Sequence, residues 1–409
     1  MSSPRAQMGF INAAHSFTHY SLLILPTAVL AIVSQGGAFG TDYGPILALA
    51  TGGFILYGIF ALPQGWLAAR IGRRNLMTIF FLGAGLSMIA TGLANTPLML
   101  ALALGATGLF VAIYHPVGTA LLVEVAGDKP GRAIGINGVF GNIGVAMAPM
   151  LTAVIAAQFG WHWAFILPGA ACTVLGIFWL RLPAGDGRAI KQSRPFPNIP
   201  PAVVRQVVII LLLIAAVSGL VFNAFTLLIP KLMQERLAGA PAVAGVAATL
   251  ATLCGAATQL TVGRLIDKLT LKRLFLPFGI ALVPALVLLS FVDGWLIVPV
   301  AGIVAAVVFG QVTINETMTA RYFSPELRTK MYSVRFFVGF LGSAAAPPVI
   351  GFLHERTGNL TASVLLLAVF ALAILGCALW FPNRREELDP SLWNEARPTP
   401  FPLIAVAGE

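Results

Sequence analysis

The sequence has 409 residues, of which 58% are hydrophobic and only 10% are charged, and its mean hydropathy is +0.89. An ordinary soluble domain carries roughly a quarter charged residues, so this composition excludes a water-soluble globule, a disordered chain and a nucleic-acid-binding protein. A polytopic membrane protein remains, and the formal net charge of +10 must then be explained by where the Lys and Arg residues fall.

Apolar runs long enough to cross a bilayer as helices follow one another along the whole chain. They show no sustained period of two, which excludes strands. The first set of predicted helices covers residues 9–33, 43–67, 75–95, 97–123, 132–157 and 163–181. The second set covers residues 206–230, 242–263, 274–292, 295–319, 331–353 and 360–381. The predicted fold is an all-α integral membrane protein with twelve transmembrane helices in two pseudo-symmetric six-helix halves.

The predicted domain organisation follows from these runs. The N-terminal half covers residues 1–181, and a linker rich in Gly and Pro covers 182–205. The C-terminal half covers residues 206–383, and a polar tail covers 384–409. We expect this tail to be loosely ordered and, like the linker, cytoplasmic.

The distribution of basic residues predicts the orientation of the chain. With both termini inside, only Lys231, Arg236 and Arg356 of the 25 Lys and Arg fall on outer segments, and Arg335 lies within a helix. This asymmetry follows the positive-inside rule and accounts for the net charge without a nucleic-acid partner. It predicts a multi-pass protein of the bacterial inner (plasma) membrane with both termini cytoplasmic.

The two halves carry related sequences. The segment Gly65-Trp-Leu-Ala-Ala-Arg-Ile-Gly-Arg-Arg74 is followed, 198 positions later, by Gly263-Arg-Leu-Ile-Asp-Lys-Leu-Thr-Leu-Lys272. Gly144 and Pro149 correspond at the same offset to Gly342 and Pro347. Duplicated halves are typical of alternating-access transporters, whose binding site lies near the bilayer midplane between the repeats.

The repeated segment resembles a signature of the major facilitator superfamily. The matching residues include Gly65, Arg70, Gly72, Arg73 and Arg74, whereas Ala69 stands where that family carries Asp. The resemblance implies that this segment contributes to a cytoplasmic gate. In the second half the corresponding residues are Gly263, Asp267 and Lys268, so the acidic residue of the gate is expected there.

Within that superfamily the sequence is most similar to the fosmidomycin-resistance type of drug exporters. The resemblance rests on Tyr114-His115-Pro116, on Gly131-Arg-Ala133, on Gly141-Asn-Ile-Gly144 with Ala148-Pro149, and on His15. His19 stands where that family has an Asp, which would change the chemistry of any proton coupling. The small residues before Pro149 also resemble the antiporter motif, which favours export over uptake.

Polar side chains at membrane depth cost on the order of 3 kcal/mol each, so those present are candidates for function. In the N-terminal half the candidates for the substrate and proton pathway are His15, His19, Tyr114, His115, Asn137 and Asn142. In the C-terminal half they are Asn223, Gln311, Asn315, Glu316 and Arg335.

Two groups among these candidates admit more than one interpretation. The i, i+4 spacing places His15 and His19 on one helix face, and the family fold implies that His115 faces them. Each histidine could instead be a neutral structural group that hydrogen-bonds a neighbouring helix. A metal site is not predicted, because no carboxylate or thiolate lies near them on helices 1 and 4. Glu316 could pair with Arg321 or Arg335 in the gate, or it could exchange protons while Arg335 attracts an anionic substrate.

The sequence therefore predicts a monomeric secondary transporter, not an enzyme, that exports a small organic compound by proton-coupled antiport without a cofactor. No GxxxxGK[ST] motif occurs that would indicate ATP as the direct energy source. One alternative is proton-coupled uptake of an organic anion. Another, from a different class, is a non-transporting membrane sensor on a transporter scaffold.

Overall fold

The computed structural model describes residues 4–126, 130–182, 197–323, 325–389 and 392–395, and these residues form helices joined by short turns. Twelve stretches are long and apolar enough to cross a membrane, which confirms the predicted fold class. We number them spans 1 to 12. Spans 1–6 are Pro4–Gln35, Tyr43–Ala61, Arg73–Gly92, Pro97–Ala126, Gly135–Phe159 and Trp161–Arg181. Spans 7–12 are Pro201–Leu237, Pro241–Leu265, Leu271–Phe291, Gly294–Tyr322, Val334–Thr357 and Thr361–Trp380.

Several spans are built from more than one helix. Proline causes most of these interruptions, because it lacks the N–H group that a helix interior needs. The pieces of span 1 are Pro4–Leu22 and Ile24–Gln35, and span 2 continues past Pro63 as Gln64–Ile71. Span 4 contains a π-helical turn, Tyr114–Gly118, with Pro116 inside it. Span 11 begins within the helix Pro325–Ser343 and continues as the helix Ala346–Thr357. Span 5 belongs to the longer helix Pro130–Phe159.

Span 7 is longer than predicted. It begins at Pro201 and ends at Leu237, whereas hydropathy alone predicted residues 206–230. Its polar end remains helical because the side chains there are anchored to neighbouring spans. Arg236 donates hydrogen bonds to the Ser290 carbonyl and to Asp293, at 2.8 and 2.9 Å.

The linker and the tail are only partly described. Of the predicted linker, residues 183–196 lie outside the described residues, and span 7 already includes residues 201–205. The expectation of a loose tail was wrong for the described part, which contains the short helices Arg385–Glu387 and Leu392–Glu395. The Glu387 side chain is fully buried there, accepts hydrogen bonds from the Leu271 amide and the Tyr322 hydroxyl, and lies 3.6 Å from Arg321.

The two halves meet along a central interface that is closed at one face of the molecule. We call the face that carries Pro4 and the tail the termini face, and the opposite one the distal face. At the distal face Gly44 and Gly351 bring spans 2 and 11 into backbone contact, because a Cβ on Gly44 would lie only 2.7 Å from the Gly351 carbonyl oxygen. The Gly44 amide also donates to Glu355 at 3.3 Å.

Spans 5 and 8 also contact each other across the interface. The Met150 amide donates to the Thr249 hydroxyl at 3.1 Å, and a Cβ on Gly245 would lie 2.6 Å from the Pro149 carbonyl oxygen. Near the termini face a Cβ at Gly65, Gly135, Gly138 or Gly263 would have no atom of the described residues within 4 Å, in contrast to Gly44 and Gly351. We infer that the halves enclose a cleft that opens to the termini face.

Candidate functional site

Three histidines of the N-terminal half converge beside the interface. His15 and His19 lie one turn apart on span 1, and the π-helical turn of span 4 brings His115 against both. One nitrogen from each ring lies within 4.8 Å of the others, and the Nε2 atoms of His15 and His19 are 3.2 Å apart. The three rings are half-buried. The structure thus brings His115 against the two histidines that the i, i+4 spacing placed on one helix face, as the family resemblance implied. We call them the histidine triad.

A hydrogen-bond network behind the triad fixes one of its members. The Asn137 carbonyl of span 5 accepts a hydrogen bond from His15 Nδ1 at 2.7 Å. The Asn137 side chain accepts from the Tyr114 hydroxyl at 2.9 Å and donates to Asn12 at 2.8 Å. Tyr114 also stacks on His15, with ring centroids 4.8 Å apart. Tyr114 and Asn137 therefore support the His15 ring from behind, and neither side chain is itself exposed.

Aromatic rings of span 11 face the triad from the other half. The His115 ring stacks on Phe336 at 5.1 Å, and Phe340 packs on Tyr57 at 4.2 Å. The His115 Nε2 atom and the Tyr57 hydroxyl are buried, and neither has a hydrogen-bond partner in the described part of the chain. Phe336 and Phe340 were not among the predicted site residues, although their i, i+4 spacing beside Arg335 was a signal for an aromatic stripe on one helix face.

The C-terminal half contributes an ion pair to the same region. Arg335 of span 11 pairs with Glu316 of span 10, and its guanidinium carbon lies 4.9 Å from the centre of the Phe336 ring. The Arg335 side chain is 10% exposed, and the Glu316 side chain is 38% exposed. Arg321, the other predicted partner of Glu316, instead donates to the Ile266 carbonyl at 2.6 Å. Phe336 therefore lies in contact with both His115 and Arg335.

Other polar atoms of spans 10 and 11 lack partners among the described residues. One guanidinium nitrogen of Arg335, the Gln311 amide nitrogen and the Asn315 side-chain oxygen are buried without a hydrogen bond there. Ser218 donates to the Gln311 oxygen at 3.2 Å, so only one end of that amide is satisfied. Buried polar groups normally have partners, so unpaired ones beside an interface are candidates for ligand contacts.

Two predicted residues take part in structural contacts. Asn142 of span 5 donates to Gln259 of span 8, and this contact joins the two halves closer to the termini face than the Met150–Thr249 contact does. Asn223 of span 7 donates to Ser343 of span 11 at 2.8 Å and to the Gly219 carbonyl at 2.9 Å. The partners Gln259 and Ser343 could not be predicted from the sequence, because both contacts join segments that are more than 100 residues apart.

The predicted gate residues lie at the termini face, where the cleft is open. Arg73 pairs with Glu124, Arg74 donates to the Leu180 and Leu182 carbonyls, and Arg70 stacks over Trp66. All these contacts stay within the N-terminal half. Gly72 ends one helix with a φ of +86°, which favours glycine.

The second copy of the gate segment follows span 8. Gly263 is in the last turn of that span, and Asp267 and Lys268 come directly after it. No ion pair between described residues joins either copy to the opposite half.

Comparisons with known proteins agree with this architecture. The model of the Major Facilitator Superfamily matches residues 9–238 and 211–406. A quinolone resistance transporter of Acinetobacter baumannii is 23% identical over 352 residues, which cover 78% of this chain and 80% of that protein. A probable L-galactonate transporter of Escherichia coli K12 is 28% identical over 159 residues, covering 39% of this chain and 34% of that protein.

Solved structures share the fold at low sequence identity. A bacterial homologue of the human lysosomal transporter Spinster, in an inward-facing and occupied conformation, superposes with a TM-score of 0.70 at 16% identity, covering 93% of this chain and 95% of that one. A D-xylose–proton symporter superposes with a TM-score of 0.71 at 12% identity, covering 92% and 97%. Together with the twelve spans and the family match along the chain, these likenesses identify the protein as a member of the Major Facilitator Superfamily, a multi-pass membrane transporter and not an enzyme.

Proposed function

We propose that this transporter exports a small organic compound in exchange for protons, as a monomer in the bacterial inner membrane with both termini cytoplasmic. The observation that carries the proposal is the Arg335–Glu316 pair, which is part-exposed beside the interface and leaves one guanidinium nitrogen unpaired. A buried cation with a free donor attracts an anionic or strongly polar group of a substrate. The bias of Lys and Arg towards the termini face supports the orientation.

Proton coupling follows from competition for Arg335. While Glu316 is ionised it holds the guanidinium, and a proton on Glu316 would release Arg335 to a substrate. Arg335 of span 11 pairs with the Glu316 carboxylate, and the Tyr332 hydroxyl donates to the Glu316 backbone carbonyl at 3.2 Å. Arg321, further along the same helix as Glu316, lies 3.6 Å from Glu387. Glu316 can therefore exchange a proton with the open cleft without disturbing another ion pair among the described residues.

Alternating access would follow from opening the distal contact. With the termini cytoplasmic, the described conformation is open to the inside and closed outside at Gly44 and Gly351. Rocking the halves would separate these glycines and bring the gate segments around Arg70 and Asp267 together. The histidine triad, Gln311 and Asn315 would then line the pathway between the two states.

Export is favoured over uptake by two likenesses. The sequence around Gly141, Gly144 and Pro149 resembles the fosmidomycin-resistance exporters and the antiporter motif. The matched protein of Acinetobacter baumannii is named for quinolone resistance. We therefore propose a toxic or inhibitory organic compound with an anionic or polar group as the substrate class.

The experiment begins with a tolerance screen. Strains that overexpress or lack the protein are exposed to a panel of toxic compounds, and an exporter raises tolerance while its deletion lowers it. The compound identified is then tested in proteoliposomes with an imposed pH gradient. One pH unit supplies about 1.4 kcal/mol per proton, which supports roughly tenfold accumulation by one-for-one exchange. Substrate flux that does not change with the imposed pH gradient would contradict the proposal.

Uptake of an organic anion with protons is the second candidate. The unpaired guanidinium nitrogen of Arg335 favours it, because a carboxylate or phosphonate could bind there in either transport direction. The same screen separates the two, since an importer lowers tolerance when it is overexpressed.

A further inference from the structure

The histidine triad has the arrangement of a metal site. We propose that His15, His19 and His115 bind one divalent transition-metal ion, such as Zn²⁺, Co²⁺ or Ni²⁺, on the N-terminal wall of the cleft. The proposal does not depend on the direction or the coupling of transport. It rests on the tautomer of His15, on the separations of the ring nitrogens, and on the missing partner of His115.

The contact with Asn137 determines which nitrogen of His15 can bind an ion. A carbonyl oxygen only accepts hydrogen bonds, so His15 Nδ1, 2.7 Å away, must carry the hydrogen. In the neutral ring the lone pair is then on Nε2, the atom that points to His19. Metal-binding histidines show the same pattern, in which the second nitrogen donates to a backbone carbonyl or a carboxylate and fixes the ring.

The nitrogen separations suit a single small ion. Bonds of about 2.05 Å at tetrahedral angles hold two ligand nitrogens about 3.3 Å apart. The Nε2 atoms of His15 and His19 are 3.2 Å apart. His115 completes a set whose nitrogens all lie within 4.8 Å of one another, so a shift of about 1.5 Å at most is needed. Rotation of a half-buried ring achieves such a shift.

His115 supplies the independent sign of a missing ligand. Its Nε2 atom is buried and has no hydrogen-bond partner among the described residues, although buried polar atoms are normally satisfied. Its ring packs against Phe336 and His15, with ring centroids 5.1 and 5.3 Å apart. An ion bound through His115 Nε2 would satisfy this nitrogen.

The ligand chemistry selects the class of ion. Imidazole nitrogens suit Zn²⁺, Ni²⁺, Co²⁺ and Cu²⁺, whereas Mg²⁺ and Ca²⁺ prefer oxygen ligands. The absence of a neighbouring carboxylate or thiolate, which counted against a metal site in the sequence, does not exclude one, because three imidazoles form a sufficient set. Such a set leaves at least one coordination position for water.

Metal binding by the purified protein tests the proposal. The full chain, free of any histidine tag, is dialysed against Co²⁺ or Zn²⁺ in detergent, and bound metal is measured by mass spectrometry. We expect one ion per chain, with an affinity at least tenfold lower in each of His15→Ala, His19→Ala and His115→Ala. The control is His162→Ala, because His162 binds the Gly92 carbonyl far from the triad and its loss should leave the affinity unchanged.

A second measurement removes dependence on the variants. X-ray absorption spectroscopy of the cobalt-loaded wild-type protein should show three imidazole nitrogens at about 2.1 Å. The proposal is overturned if the wild type binds less than a tenth of an equivalent or if the cobalt shell consists of oxygen alone. Unchanged affinity in all three triad variants, or a loss that follows His162→Ala, would also overturn it.

Discussion

The distal contact between the halves can be weakened selectively at Gly351. In Gly351→Ala the new Cβ would lie 2.8 Å from the Gly44 carbonyl oxygen and 3.0 Å from its Cα. Both neighbouring atoms belong to the backbone and cannot rotate away. The alanine therefore strains only the conformation in which the distal face is closed, because the two glycines separate when that face opens.

The expected size of this effect follows from the cost of overpacking. Extra methyl groups in a packed interface cost about 1–3 kcal/mol. If that cost falls on one conformation alone, the ratio of the two conformations shifts by roughly 5- to 150-fold towards the state with an open distal face. The matched control is Gly52→Ala, because a Cβ at Gly52 on span 2 has no atom within 4 Å.

Pulsed electron spin resonance measures this shift directly. Nitroxide labels at Ala38→Cys and Arg356→Cys, both exposed on the distal side, report the distance between the halves after the exposed Cys254 is replaced by serine. Gly351→Ala should enlarge the population with the longer distance, and Gly52→Ala should reproduce the parent distribution. Identical distributions in both variants would refute the assignment of these glycines as the closing contact.

Three further predictions concern stability, recognition and the tail. Gly144→Ala, whose Cβ would overlap the Ser16 carbonyl, should lower the thermal unfolding temperature, with Gly138→Ala as the unaffected control on the same helix. Arg335→Lys, which keeps the charge but loses the forked donor, should raise the half-saturating substrate concentration about tenfold in transport assays. Burial raises the pKa of the Glu387 carboxyl, so the docked tail favours the protonated acid. The tail should therefore lose stability and protease resistance as the pH rises from the ordinary carboxyl range through this raised pKa. Glu387→Gln should remove this pH dependence.

The spans were predictable because about 20 consecutive apolar residues suffice to identify a membrane helix. Their interruptions were not, since whether Pro26 or Pro116 breaks a helix depends on which neighbouring groups satisfy the freed carbonyls. The end of span 7 was misjudged for a similar reason. Its polar residues look like a loop by hydropathy, but Arg236 and its partners on spans 9 and 12 keep it helical.

The positions of the candidate polar residues along the spans were predictable, whereas their contacts were not. The i, i+4 spacing of His15 and His19 followed from the sequence, but nothing in the sequence predicts the separations of the ring nitrogens on which the proposed metal site depends. The sequence left Arg321 and Arg335 as possible partners of Glu316. In the structure Glu316 pairs with Arg335, because Glu387 of the tail lies beside Arg321. That contact is invisible to a hydropathy profile, which treats a polar tail as solvent-exposed.

The most direct test of proton-coupled export compares two modes of transport in one variant. Glu316→Gln keeps the size of the side chain but cannot exchange a proton. With the compound identified by the tolerance screen, reconstituted Glu316→Gln should retain substrate counterflow near the wild-type rate and lose accumulation driven by a pH gradient. Gradient-driven accumulation that persists in Glu316→Gln at the wild-type level would contradict the account.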